Sequence, residues 1–137
     1  MATLKISDLS VGDWVRYRDR EWEVCSIYQF TEEVGLFRKD SQICESIEDI
    51  ESIPITAEIL EKNGWRVIEK ELFGDEYEYD GEERVWDDEN CTIEICEARQ
   101  GIFWYSWRSE YYMWRLEYVH QLQHLVRLAG VEKEINL

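Results

Sequence analysis

The chain has 137 residues, 45% of them hydrophobic and 14% aromatic, with 31 acids against 15 bases for a net charge of −16. Length and apolar content support one compact fold with an adequate core. They exclude a linker or low-complexity chain, and the charge argues against a surface that binds polyanions or acidic lipid. The acid excess is concentrated: residues 1–42 carry net −2, residues 43–100 net −14 and residues 101–137 net 0.

The opening, Met1 to Asp8, lacks the apolar core of a secretory signal, and no run approaches the length that spans a bilayer. A cytoplasmic protein is expected. Leu9-Ser10-Val11-Gly12-Asp13 reads as a turn into a strand, Trp14 to Arg18. Asp19-Arg20 reads as a tight connection and Glu21 to Tyr28 as the returning strand. Gly35 to Arg38 and Ser41 to Ile43 form a second pair, and Ile47, Ile50 and Ile53 close the segment. Short strands and tight turns over residues 1–54 suggest a small SH3-like barrel unit, a pattern that carries no single function.

Residues 55–137 read as a helix, an antiparallel sheet and a terminal helix. Thr56 is a suitable N-cap for Ala57 to Lys62, and Gly64 after Asn63 suits a left-handed helix end. Strands follow at Trp65 to Lys70, Glu76 to Tyr79, Glu83 to Trp86, Cys91 to Glu97, Ile102 to Trp107 and Tyr111 to Tyr118. Asp80-Gly81 is a hairpin signal between the second and third of them. A last helix from Val119 to Ala129 presents Val119, Leu122, Leu125, Val126 and Ala129 as one apolar stripe. The expected class is α+β and mostly antiparallel β, with the C-terminal helix packed on the sheet.

Four cysteines, Cys25, Cys44, Cys91 and Cys96, include no Cys-x-x-Cys pair, so they read as small thiols rather than a disulfide or metal framework. Arg16, Arg18 and Arg20 alternate with Trp14 on one side of a strand. A hairpin turning at Asp19-Arg20 would set Arg18 opposite Glu21 and Arg16 opposite Glu23, which makes ion pairs a better account than nucleic-acid contact. Glu76-x-Glu78-x-Asp80-Gly81 with Asp87 imitates a calcium loop. It has Glu where shorter Asp is preferred, Asp at the bidentate position and strands for flanks, so alternation along a hairpin explains it.

Three constellations remain. The first is acidic: Asp75, Glu76, Glu78, Asp80, Glu82, Glu83, Asp87, Asp88 and Glu89, within a run from Asp75 to Glu97 whose only base is Arg84. The second is aromatic: Trp104, Trp107, Tyr111, Met113 and Trp114 on the last hairpin, a patch for a partner or a stacked ligand unless other strands cover it. The third is the stripe His120, His124 and Arg127. It is a solvated polar face in the plain reading and an anion or ligand site in the sharper one. The two imidazoles have metal-ligand spacing, yet no glutamate follows His120 as a zincin motif requires, and no third ligand is evident. No metal, no cofactor and no catalytic residue is assigned from sequence.

Leu9-Ser10-Val11-Gly12-Asp13-Trp14-Val15, Ile53-Pro54-Ile55-Thr56 with Ile59-Leu60 and Lys62-Asn63-Gly64-Trp65, and Tyr118-Val119-His120-Gln121-Leu122-Gln123 resemble a family of small uncharacterised proteins carried by bacterial phages and mobile elements. The resemblance implies a bacterial cytosol and no particular activity. The leading expectation is a non-enzymatic acidic module that binds a protein with a basic surface, as an inhibitor or nucleic-acid mimic, and touches neither nucleic acid nor membrane directly. A small-ligand or nucleotide-binding protein with an aromatic pocket, and a metal-dependent enzyme built on His120 and His124, are the alternatives.

Overall fold

Arg18 and Asp19, both at positive φ (48° and 62°), close the first hairpin between β1 (Trp14–Tyr17) and β2 (Arg20–Tyr28). Two successive left-handed residues match the twist of the flanking strands, which is why this turn type recurs in two-residue hairpins. The register is therefore Trp14 opposite Glu23, Arg16 opposite Glu21 and Tyr17 opposite Arg20. This corrects the expected turn at Asp19-Arg20 and the expected Arg18–Glu21 and Arg16–Glu23 pairs. The two registers differ by two residues along one strand and keep the same side chains on each face. Apolar alternation cannot choose between them, and the turn does.

The computed structural model describes residues 4–68, 84–88, 91–97, 104–109, 112–128 and 133–137. Within it the chain divides into two compact units. One holds the residues up to Pro54 together with Tyr118–His120, and the other holds Ile55–Glu117 and Gln121–Leu137. In the first unit β3 (Glu33–Arg38), β4 (Ser41–Ser46) and β5 (Glu51–Ser52) join β1 and β2 in one antiparallel sheet ordered β4-β3-β2-β1-β5. No ladder joins β4 to β5 among the described residues, so the expected SH3-like barrel is an open five-stranded sheet.

The core of this unit is Val15, Val24, Val34 and Leu36, all at most 1% exposed, with Tyr17, Leu9, Ile47 and Ile50 around them. Burying each of the four aliphatic side chains contributes about 1.5–3 kcal/mol. The β2–β3 register slips between Val24 and Ser26, so Val24 faces Leu36 while Ser26 faces Gly35. Gly35 is needed there because a Cβ would lie 2.0 Å from Ser26 Oγ and 3.2 Å from Cys25 Sγ. Tyr17 meets Trp22 edge-on at 6.5 Å, and the Arg18 guanidinium lies 5.3 Å from the centre of the Tyr17 ring.

In the second unit α1 (Ala57–Lys62) begins as expected, with Thr56 Oγ1 accepting from Ile59 N at 3.2 Å. It ends at Asn63, and Gly64 follows at φ 94°. The strands β6 (Arg66–Ile68), β7 (Arg84–Asp88), β8 (Cys91–Glu97), β9 (Trp104–Ser109) and β10 (Tyr112–Leu116) pair in chain order as an antiparallel meander. β6 pairs directly with β7, with Arg66 opposite Asp87. The expected strand at Glu76 to Tyr79 and the Asp80-Gly81 hairpin lie outside the described residues. α2 (Val119–Leu128) packs on a five-stranded sheet and buries Val119, Leu122, Leu125 and Val126, four of the five residues of the expected stripe. Ala129, the fifth, lies outside the described residues. Among the described residues no helix is long and apolar enough to cross a membrane.

Asn63 is the polar joint of the second unit. Its Nδ2 donates to Ile59 O at 2.8 Å and to Asn136 O at 2.7 Å, while Asn136 N donates to its Oδ1 at 2.7 Å. The C-terminal segment beside it buries Ile135, sets Lys133 Nζ 4.6 Å from the centre of the Trp65 ring, and receives a hydrogen bond from Lys62 Nζ at Leu137 O.

Candidate functional site

The turn from Ser10 to Asp13 fixes one carboxylate. Asp13 N donates to Ser10 O at 3.1 Å, Ser10 N donates back to Asp13 Oδ2 at 2.7 Å, and Gly12 takes φ 97°, which a side chain would resist. Gly12 N then bonds Val24 O and Val24 N bonds Asp13 O, both at 2.8 Å. Asp13 is held from both sides and is fully buried, at 0% exposure. A carboxylate in that position is costly unless donors or positive charge face it.

The second part of the site arrives from far along the chain. Val119 N donates to Ile53 O at 2.8 Å, and Tyr118 forms a bridge with Pro54. These contacts hold Tyr118–His120 within the first unit, beside Ser52–Pro54. His120 is there 3% exposed, stacked 5.8 Å from Tyr118, with Nε2 3.2 Å from Ser52 Oγ. The potential ligand atoms of Asp13 and His120 lie within 4.8 Å of each other. His124, half-buried, follows one turn later on α2.

The His120–His124–Arg127 stripe thus departs from the plain sequence reading. Arg127 is exposed, but His120 is in the interior and Gln123 beside it is only 9% exposed. Helix periodicity gave no warning, because a polar stripe turns inward only where polar groups such as Asp13 and Ser52 wait for it. Asp13 was missed as a functional candidate for the same reason. Its signal was the Gly12-Asp13 turn, read only as a strand entry.

The other constellations are placed less fully. Of the acidic group, Asp87 and Asp88 lie on β7, while Asp75, Glu76, Glu78, Asp80, Glu82, Glu83 and Glu89 lie outside the described residues. Of the aromatic group, the β9–β10 ladder sets Trp107 opposite Met113, Trp114 opposite Ser106 and Trp104 opposite Leu116, with an irregularity between Tyr112 and Met113. Tyr111 lies outside the described residues. Arg16 has Glu21 opposite it on one side and Glu51 on the other.

Two thiols flank Gly35 on neighbouring strands. Cys25, half-buried, accepts from Gln42 Nε2 at 3.5 Å, and the exposed Cys44 donates to Glu33 Oε2 at 3.4 Å. Desolvation, and then the Glu33 carboxylate, push the Cys44 pKa above the ordinary thiol value. Cys44 is therefore held as a thiol and is a poor nucleophile at neutral pH.

No family model, no curated protein and no solved structure matches the chain.

Proposed function

We propose that the chain is a non-enzymatic acidic module that binds a basic surface on a protein partner in the bacterial cytoplasm, in the manner of a phage or mobile-element accessory protein. The observation that carries this reading is the charge segregation. Residues 43–100 hold 19 acids and 5 bases, and the run from Asp75 to Glu97 has Arg84 as its only base. A concentrated negative field steers basic partners toward it and discourages direct contact with nucleic acid or anionic lipid. The resemblance of Leu9–Val15, Ile53–Trp65 and Tyr118–Gln123 to small proteins of phages and mobile elements supports the setting.

The deciding experiment is recovery of partners from bacterial lysate on the tagged protein at low and at high salt. The expected result is one basic nucleic-acid-binding protein, recovered at low salt, lost at high salt, and released by added duplex DNA. Charge reversal at Asp87, Asp88 and Glu89 should abolish recovery. A partner retained equally by the reversed variant and at high salt would overturn the reading, because exposed charge contacts are screened.

A further inference from the structure

We propose that the outer edge of β4 is a docking strand for an extended segment of a protein partner, one that carries an apolar residue and a lysine or arginine two positions apart. The site lies wholly in the first unit and shares no residue with the run from Asp75 to Glu97, so it stands or falls apart from the charge-based reading.

The sheet order β4-β3-β2-β1-β5 leaves two edges, and the chain treats them differently. Beside β5 it covers its own edge, where Val119 N donates to Ile53 O at 2.8 Å and Tyr118 bridges Pro54. At β4 nothing among the described residues does so. The groups that β4 offers follow from its hairpin. A two-residue loop, Lys39-Asp40, makes Arg38 and Ser41 the closing hydrogen-bonded pair, and bonded pairs recur at every second position. Leu36 with Ile43 and Val34 with Glu45 continue the series, and its next member is seen directly, Ile47 N donating to Glu32 O at 2.9 Å. The N–H groups of Gln42, Cys44 and Ser46 therefore point away from β3, and no hydrogen bond among the described residues uses them.

Natural sheets protect such an edge with proline, lysine or a bulge. Ser41-Gln42-Ile43-Cys44-Glu45-Ser46 contains neither residue, pairs with β3 through six positions without a break, and exposes Gln42 and Cys44. A regular, unguarded edge of this length is what strand addition uses, with main-chain bonds for affinity and alternate side chains for specificity. Charge and alternation choose the occupant. Ile43 and Glu45 share one face of β4 and are both half-buried, so an added strand sets an apolar residue beside Ile43 and a base beside Glu45. Glu45 receives a hydrogen bond from Tyr17 and keeps acceptor sites to spare. From Asp40 to Ile53 the chain holds Asp40, Glu45, Glu48, Asp49 and Glu51 and no base. A second copy is the wrong occupant, because two chains of net −16 bring like charge together along the joint.

The test uses the full chain, labelled with ¹⁵N, and a blocked seven-residue peptide with threonine at odd positions and valine, lysine, valine at even ones. Backbone NMR with amide hydrogen exchange should show one peptide per chain, with the amides of Gln42, Cys44 and Ser46 shifted and newly protected. Glutamate in place of the peptide lysine should weaken binding about 3- to 10-fold, as an attractive cross-strand pair becomes repulsive. N-methylation of every second peptide residue, made in both phases, should abolish binding in one phase, because strand pairing needs those donors. Cys44→Pro removes an outward N–H and spares the β3 ladder, so it should lose the peptide with its far-ultraviolet circular dichroism unchanged. The N-methylated peptides decide the matter if that variant does not fold. Charge reversal at Asp87, Asp88 and Glu89 should leave the protection intact. No binding at millimolar peptide would overturn the proposal. So would binding that both N-methylated forms retain, or protection that the charge reversals abolish. Amides of β4 already protected in a concentration-dependent dimer would give the edge to a second copy and overturn it too.

Discussion

Asn63 and Asn136, seventy-three residues apart, exchange two hydrogen bonds of 2.7 Å between one side-chain amide and one stretch of backbone. The amide supplies a donor and an acceptor at the spacing of a peptide group, so it pairs with Asn136 as a strand would. Asn63 is 7% exposed, and its partners on Asn136 lose their bonds if it is truncated. Asn63→Ala should cost about 1.5–4.5 kcal/mol, because it removes three hydrogen bonds that each contribute about 0.5–1.5 kcal/mol. Asn63→Asp should also destabilise, since the carboxylate cannot donate to Asn136 O. Urea unfolding followed by circular dichroism reads both, and an unchanged midpoint for Asn63→Ala would refute the assignment.

Gly35 is a steric requirement. Gly35→Ala places a methyl group 2.0 Å from Ser26 Oγ and should destabilise by about 1–3 kcal/mol, the usual cost of overpacking. Removing the hydroxyl in a Ser26→Ala, Gly35→Ala double variant should recover much of the loss. Additive losses in thermal melts of the four proteins would show that the clash lies elsewhere.

Cys44 should react slowly despite its exposure. The raised pKa keeps the thiolate scarce at neutral pH, so alkylation of Cys44 should accelerate only as pH climbs past the ordinary thiol range. Glu33→Gln removes the carboxylate that accepts its proton and should speed the reaction at fixed pH. Peptide mass spectrometry of a timed iodoacetamide reaction follows this residue alone. Equal rates in the two proteins would contradict the role of Glu33.

Tyr17 should make the fold sensitive to alkali. Its pKa is raised by desolvation first and then by a hydrogen bond to Glu45. A group with a raised folded pKa contributes stability that is present below its unfolded value, here 10.0, and is lost as pH rises through the folded value. Tyr17→Phe should therefore be less stable than the parent at pH 8, with the gap narrowing or reversing at pH 11. A gap that does not change with pH would exclude the phenol as the titrating group.

Local chemistry was the most legible part of the sequence. Thr56 and Gly64 bracket α1 because capping and left-handed geometry depend on the residue itself. Val119, Leu122, Leu125 and Val126 are buried because their periodicity fits one helix face. Tertiary register was not legible: the first hairpin turned one residue earlier than expected, since both registers bury Val15 and Tyr17 alike. The His120 site was half legible. The i, i+4 imidazoles stand out, but the burial of His120 depends on Asp13 and Ser52, which lie 107 and 68 positions away in the sequence.

Tyr118–His120 completes the first unit although it follows Pro54 by 64 positions. During synthesis the early strands leave the ribosome long before that piece exists. The edge at Ser52 and Ile53 must wait unpaired while the whole second sheet is translated. A product released early, by a nonsense codon or a stalled ribosome, keeps that edge open, and unpaired strand edges invite association and proteolysis. The chain thus carries its own record of complete translation: only a ribosome that has passed His120 leaves behind a first unit with its edge closed.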